Sequence, residues 1–160
     1  MTETRHAAPA DEQTFLDQAA SRCKEHGASL TPIRRHILRL LRRQPGGVKA
    51  YDLLEQMKSE HPGATPPTVY RALDFLIDQG LAHKIGRTNQ FIACNQEVHD
   101  DAGLFLVCPR CGQVTELHDH EASAALTRSL ARAGHILVGP EIEISAICQA
   151  CQHEGDRKST

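Results

Sequence analysis

Thr65-Pro66-Pro67-Thr68-Val69-Tyr70-Arg71-Ala72-Leu73-Asp74-Phe75-Leu76-Ile77-Asp78-Gln79-Gly80 is the stretch on which the fold turns. Proline is tolerated where a helix begins and glycine where it ends, so Thr65-Pro66-Pro67 opens a helix over 68–79 and Gly80 closes it. Val69, Leu73, Leu76 and Ile77 form one apolar stripe, while Thr68, Tyr70, Arg71, Asp74 and Asp78 point the other way. Two short apolar segments follow, Leu81 to Ile85 and Gln90 to Cys94, joined by Gly86-Arg87-Thr88-Asn89, which is a hairpin signal.

Working towards the N-terminus, a helix with Leu53, Leu54 and Met57 inward is stopped by Pro62-Gly63. Before it, Thr31 caps a helix with Pro32 at its first position. Its stripe is Ile33, Ile37, Leu40 and Leu41, and Arg34, Arg35, Arg39, Arg42 and Arg43 form its outward face until Pro45-Gly46-Gly47 breaks it. From Glu12, the positions Phe15, Leu16, Ala19, Ala20 and Cys23 recur at helical spacing up to Gly27, and residues 1–11 read as a disordered tail. Helices of this spacing, a tight turn and a hairpin spell a winged helix-turn-helix domain over 1–94. In such modules the N-terminal residues of the second helix of the motif reach base edges in the major groove. Tyr70 and Arg71 sit there: Arg can bond a guanine edge bidentately, and Tyr or Thr68 can hold phosphates or touch thymine methyls. The alternative is that they only cover a helical bundle.

Towards the C-terminus, residues 95–103 are polar and form a hinge, and residues 104–160 form a small α/β dimerisation and metal-binding domain, which makes the chain α+β. Strands are expected at Leu104 to Val107, Gln113 to Leu117, Ile136 to Val138 and Glu141 to Ile147. A helix over 120–133 carries the face Ala122, Leu126, Leu130 and Ala133. Within this half lie Cys108-Pro109-Arg110-Cys111 and Cys148-Gln149-Ala150-Cys151. Four thiolates in two CxxC steps complete a tetrahedral structural zinc shell with no open position. The intervening 36 residues exceed an ordinary zinc ribbon, so a strand and a helix are looped out between the knuckles. A disulfide framework or buried free thiols would be the bland reading. So small a half is expected to lean on the zinc and on a second copy of itself.

Two cysteines remain. Cys23 falls on an apolar stripe and reads as a packed thiol. Cys94 differs. If Gly86 and Asn89 pair across the hairpin, His83 lies opposite Ile92 and Cys94 is its diagonal neighbour on the same face. With His99 in the hinge and Glu116 after the first knuckle, an N₂SO set suited to tetrahedral zinc is available. Scattered surface histidines and a buried cysteine would give the same spacings.

The 160-residue chain has ten histidines and a net charge of −2 that is unevenly distributed. Residues 30–90 hold ten Lys/Arg against five Asp/Glu, and residues 91–160 hold five against ten. A basic half favours a polyanion, and an acidic half a cation or self-association. No apolar run approaches the ~20 residues of a membrane span, and the polar start leads into no h-region. Cysteines arranged as metal knuckles without an export signal place the chain in a reducing cytoplasm.

Leu30-Thr31-Pro32-x-Arg34, Ala50-Tyr51-Asp52-Leu53-Leu54, Pro66 to Leu76, His83-Lys84, Thr88-Asn89 and Cys108-x-x-Cys111-Gly112 resemble the ferric uptake regulator superfamily. The pairing of His83 with Cys94 looks like its zinc uptake regulator branch. The likeness runs from about Phe15 to Cys151. It implies a homodimeric, metal-loaded repressor of zinc-import genes on an AT-rich inverted repeat. It also implies two zinc ions per protomer, a structural one at Cys108, Cys111, Cys148 and Cys151 and a regulatory one at His83, Cys94, His99 and Glu116. Tyr51 and Arg71 become DNA-contacting positions. Iron-sensing members usually carry His-His-Asp-His before the first knuckle, where this chain reads Val98-His99-Asp100-Asp101-Ala102. None of His118, His120 and His135 falls squarely on the position where some relatives hold a third ion.

The rival readings are a sensor of iron, manganese or nickel, a zinc hydrolase or deaminase, and a structural zinc-ribbon adaptor. A deaminase wants His-x-Glu ahead of Pro-Cys-x-x-Cys, but His118-Asp119-His120 follows the knuckle here. Four thiolates leave no place for a catalytic water, so no catalytic residue and no small-molecule substrate are expected. An adaptor would leave Arg71 without a role.

Overall fold

The computed structural model describes residues 9–94, 103–139 and 141–156. They belong to two compact units, Met1–Asn95 and Gln96–Thr160.

In the first unit the helices are α1 (Pro9–Glu25), α2 (Pro32–Arg43), α3 (Ala50–Met57) and α4 (Pro66–Asp78). The strands are β1 (Val48–Lys49), β2 (Ala82–Ile85) and β3 (Gln90–Ala93), in the order β1-β3-β2. Each helix buries most of its expected stripe, although Ala20, Ile33, Leu40 and Ile77 are only half-buried and Leu38 of α2, outside the expected stripe, is fully buried. Leu16, Ala19 and Cys23 of α1, Ile37, Leu38 and Leu41 of α2, Leu53 and Met57 of α3, and Leu73 and Leu76 of α4 are all fully buried in one core. Burying each of the large side chains contributes about 1.5–3 kcal/mol to this core. Thr31 stands at the N-cap position of α2 without a side-chain capping bond, and Pro32 occupies its first turn. At the end of α4 the Leu81 N–H reaches back to the Leu76 carbonyl at 2.8 Å, which requires the positive φ that Gly80 adopts (67°).

The hairpin has the expected register. Ile85 pairs with Gln90, His83 with Ile92 and Ala82 with Ala93. Three local expectations need correction. α1 begins at Pro9, inside the stretch read as a tail to residue 11, because Asp11 and Glu12 suit the positive end of a helix dipole. α4 begins at Pro66 rather than Thr68, since a proline's missing N–H costs nothing in the first turn. The strand β1, which pairs Val48 with Phe91, went unseen because two residues show no periodicity.

The second unit contains β4 (Gly103–Val107), β5 (Val114–Leu117), α5 (His120–Arg132), β6 (Glu141–Ser145) and α6 (Gln149–Asp156). Its sheet runs β5-β4-β6, with β4 antiparallel to β5 and parallel to β6. Asp119 caps α5, its carboxylate accepting from the Ala122 N–H at 2.9 Å. Little apolar surface is covered here. Leu104, Phe105, Val107 and Val114 are buried, but the α5 face Ala122, Leu126 and Leu130 is only partly so, and Ala133 is exposed. Ile136 to Val138, expected as a strand, is irregular, with Ile136 and Val138 about nine-tenths exposed (89% and 90%). Its alternation is too short to earn a ladder partner once β6 has taken the free edge of β4. The strand expected to reach Ile147 stops at Ser145, and α6 after it was not foreseen.

Candidate metal centre and nucleic-acid interface

Parallel pairing of β4 with β6 explains the long gap between the knuckles. Val107 pairs with Ser145, and the Ala146 N–H donates to the Val107 carbonyl at 3.1 Å. Both strands therefore end at the same edge of the sheet, β4 directly before Cys108 and β6 two residues short of Cys148. Antiparallel strands would have put the knuckles at opposite ends. A parallel return needs a crossover, and β5 with α5 fills the sequence between the knuckles.

The first knuckle is a turn in which the Gly112 N–H donates to the Cys108 carbonyl and the Cys108 N–H to the Gln113 carbonyl, both at 2.9 Å. Gly112 takes φ 75°, a backbone region that disfavours any Cβ. The second knuckle is the first turn of α6, where the Gln152 N–H donates to the Cys148 carbonyl at 3.0 Å. One ligand atom from each of Cys108, Cys111, Cys148 and Cys151 lies within 4.8 Å of the other three. Cys111 Sγ and Cys148 Sγ are 3.7 Å apart, against about 3.8 Å for two sulfurs on one tetrahedral zinc with 2.3 Å bonds. All six cysteines are free thiols, and 3.7 Å is far beyond a disulfide, so the disulfide framework is excluded here. The donor set fits zinc.

The cluster's protons reveal the same preparation. The Cys108 thiol is held at about 6, first by the Cys148 backbone N–H and then by that of Cys111. Cys151 is pushed up to about 12, first because it shares a hydrogen bond with Cys148 and then by burial. The Cys108 thiolate is thus stabilised by the fold while Cys111 and Cys151 resist ionising beside it, a conflict that a dication relieves. Arg110, inside the first knuckle, donates from Nη1 to the Cys151 carbonyl at 2.7 Å and so clasps one knuckle to the other. That role was missed; a cation between the two cysteines was its only sequence signal.

Of the second ligand set, His83 lies on β2, half-buried, and Cys94 directly follows β3 and is buried. The Cys94 N–H donates to the Leu81 carbonyl at 2.9 Å, which extends the ladder and makes Cys94 the diagonal neighbour of His83. Glu116, on β5 of the second unit, has His118 Nε2 3.6 Å from its carboxylate. His99 and most of the hinge expectation, 95–102, lie outside the described residues, while Gly103 belongs to β4.

On the first unit, Tyr51 is 69% exposed and Tyr70 is 48% exposed, large apolar groups that the core does not use. Arg71 is exposed as well and makes no ion pair among the described residues. Thr68 Oγ1 accepts from the Thr65 backbone N–H at 3.3 Å and lies 2.9 Å from the Thr65 hydroxyl, closing the start of α4.

The arginines of α2 correct the expectation of an outward basic face. Arg34 stacks on Phe75 at 3.6 Å and donates to the Ser29 carbonyl at 2.7 Å. Arg42 lies over Phe15 at 4.7 Å. Arg35 pairs with Asp17, and Arg39 and Arg43 both reach Glu12, Arg43 through two hydrogen bonds of 2.7 and 2.8 Å. These cations bind α2 to α1 and α4. A helix wheel sees five unpaired charges because their partners come from other helices.

Residues 25–145 match the sequence profile of the ferric uptake regulator family. The chain belongs to the ferric uptake regulator family. It is 39% identical over 142 residues to the zinc uptake regulation protein of Escherichia coli (strain K12), covering 87% of this chain and 82% of that one. Among solved structures it is similar to a zinc uptake regulator complexed with zinc and DNA, at 37% identity and TM-score 0.74, over 91% of this chain and 97% of the other. The crystal structure of holo XcZur is likewise similar, at 35% identity and TM-score 0.71, over 88% and 98%. A winged-helix unit followed by an α/β unit with a four-cysteine cluster is thus a family architecture in this chain.

Proposed function

We propose that this protein is a zinc-responsive transcriptional repressor, not an enzyme, which binds operator DNA as a metal-loaded homodimer and controls zinc-uptake genes. The observation that carries the reading is its likeness, over nine-tenths of its length, to a zinc uptake regulator complexed with zinc and DNA (91% coverage). The metal ligands of the reading are Cys108, Cys111, Cys148 and Cys151 for a structural zinc and His83, Cys94, His99 and Glu116 for a regulatory one. The first set fills a closed thiolate shell that organises the second unit, whose own core is thin. The second offers two imidazoles, a thiolate and a carboxylate, a mixed set that holds zinc reversibly.

In this mechanism regulatory zinc selects the DNA-competent arrangement of residues 95–103 because it binds that arrangement more tightly. Tyr51, Thr68, Tyr70 and Arg71 then meet the duplex, Arg71 reading a base edge and the others positioning on phosphates and thymine methyls. The incompletely covered α5 face and the open side of β6 supply apolar area for a second copy, and a two-fold dimer calls for an inverted repeat, here AT-rich. Free thiolates of this kind persist in a reducing cytoplasm.

The test is metal content per protomer before and after mild chelation, measured alongside binding to an AT-rich inverted-repeat duplex. Two zincs, with one chelatable and DNA binding lost with it, is the expected result. A single tightly held zinc, with DNA binding indifferent to chelator, would remove the regulatory set.

A further inference from the structure

A second group of metal-capable side chains lies wholly within the first unit, and none of its members contains sulfur. His36 on α2, Glu60 and His61 in the turn between α3 and α4 each present a ligand atom within 4.8 Å of the others. His36 is 5% exposed, in the middle of a stripe that otherwise buries Ile37, Leu38 and Leu41. Its Nδ1 is 2.8 Å from the Glu60 carboxylate, and its Nε2 is buried without a hydrogen-bond partner. The His36 and His61 rings meet edge to face, with centroids 5.2 Å apart. The backbone holds the turn firmly: the His61 N–H donates to the Met57 carbonyl at 2.7 Å, and the Ala64 N–H to the His61 carbonyl at 2.9 Å.

A histidine in a helix's buried stripe is a costly choice for packing alone, and the Nδ1 it turns toward Glu60 is the atom a cation would take, while Nε2 stays buried without a partner either way. Leucine would fill the space without that cost. We infer that His36, Glu60 and His61 form a divalent-cation site for a zinc-like ion, separate from the cysteine-containing sets. Two imidazoles and a carboxylate make a three-ligand shell that leaves a position for water. Two ligands on such an ion stand about 3.3 Å apart at bond lengths of 2.0–2.1 Å. Glu60 therefore moves out by a few tenths of an ångström, which its 60% exposed side chain allows. The cation takes the place of the proton in the His36–Glu60 hydrogen bond. Bound there, it pins the α3–α4 turn to α2 just ahead of the helix that carries Tyr70 and Arg71.

The test uses the full-length protein carrying whatever zinc it retains, titrated with Co²⁺. Nitrogen and oxygen ligands give visible ligand-field bands without the thiolate charge-transfer bands of the cysteine sets, and imidazole ¹⁵N resonances report which histidines bind. The expected result is an equivalent of Co²⁺ per protomer that lacks thiolate bands and shifts both His36 and His61. That equivalent disappears in His61→Ala, at a half-buried turn position that should not disturb the core, and weakens at least tenfold in Glu60→Gln. Equal Co²⁺ uptake by wild type and His61→Ala, or unmoved His36 and His61 resonances, would overturn the site. The pair would then be a hydrogen bond tying α2 to the turn. Because no cysteine is involved, that failure leaves the zinc-repressor reading untouched.

Discussion

The backbone N–H of Cys148 donates to the Sγ of Cys108 at 3.5 Å, so the peptide chain of one knuckle already solvates the sulfur of the other. This contact exists because β4 and β6 run parallel and end together. It links the two cysteine steps through sheet topology.

Cys108→Ser should therefore damage the second unit twice, removing a ligand and the acceptor of that bond. Loss of a structural zinc ligand removes folding free energy on the order of several kcal/mol. We expect the thermal transition of the second unit to collapse while the helices of the first, with their own core, stay folded. Helix content and amide exchange measured by unit check this; an unchanged melting profile would contradict it.

Cys94→Ser or His83→Ala should leave the fold intact and uncouple DNA binding from zinc. Zinc-dependent affinity for the duplex should fall by more than about tenfold, which is 1.4 kcal/mol. Fluorescence anisotropy with and without zinc reads this directly. A variant whose affinity still responds fully to zinc would take those residues out of the regulatory set.

Arg71→Ala and Arg39→Ala should separate a reading residue from a packing one. Loss of Arg71 should cost about 1–3 kcal/mol of operator affinity with little change in stability. Loss of Arg39, which lies 3.6 Å from Glu12, should lower stability by up to about 1 kcal/mol and leave affinity per folded molecule unchanged. Reversed effects would show the basic face of α2 on the DNA after all.

Glu12→Gln should remove a pH-dependent part of the first unit's stability. Hydrogen bonds from Arg43 hold the Glu12 carboxyl below its ordinary range. A group whose folded pKa is depressed stabilises fully above its unfolded value, near 4.3, and loses that contribution as pH falls through the folded pKa. Wild type should thus exceed the variant by about 0.5–1 kcal/mol near neutral pH, with the gap closing in acid. A gap that is constant with pH would mean the pair contributes through packing only.

Much of this was legible in the chain. Short-range rules determined it: the proline-led α4 with its stripe of Val69, Leu73 and Leu76, the hairpin register that sets His83 opposite Ile92, and the two cysteine steps. Each depends on periodicity or on turn chemistry within a few residues, which a sequence displays directly. Tertiary structure decided the rest. It chose the parallel return that brings Cys108 beside Cys148, turned the arginines of α2 into partners of Glu12, Asp17 and Phe75, left Ile136 and Val138 outside any strand, and gathered His36, Glu60 and His61. Those outcomes depend on which distant element arrives next to a side chain, and a charge or an imidazole on a helix wheel looks the same whether it meets water or a partner.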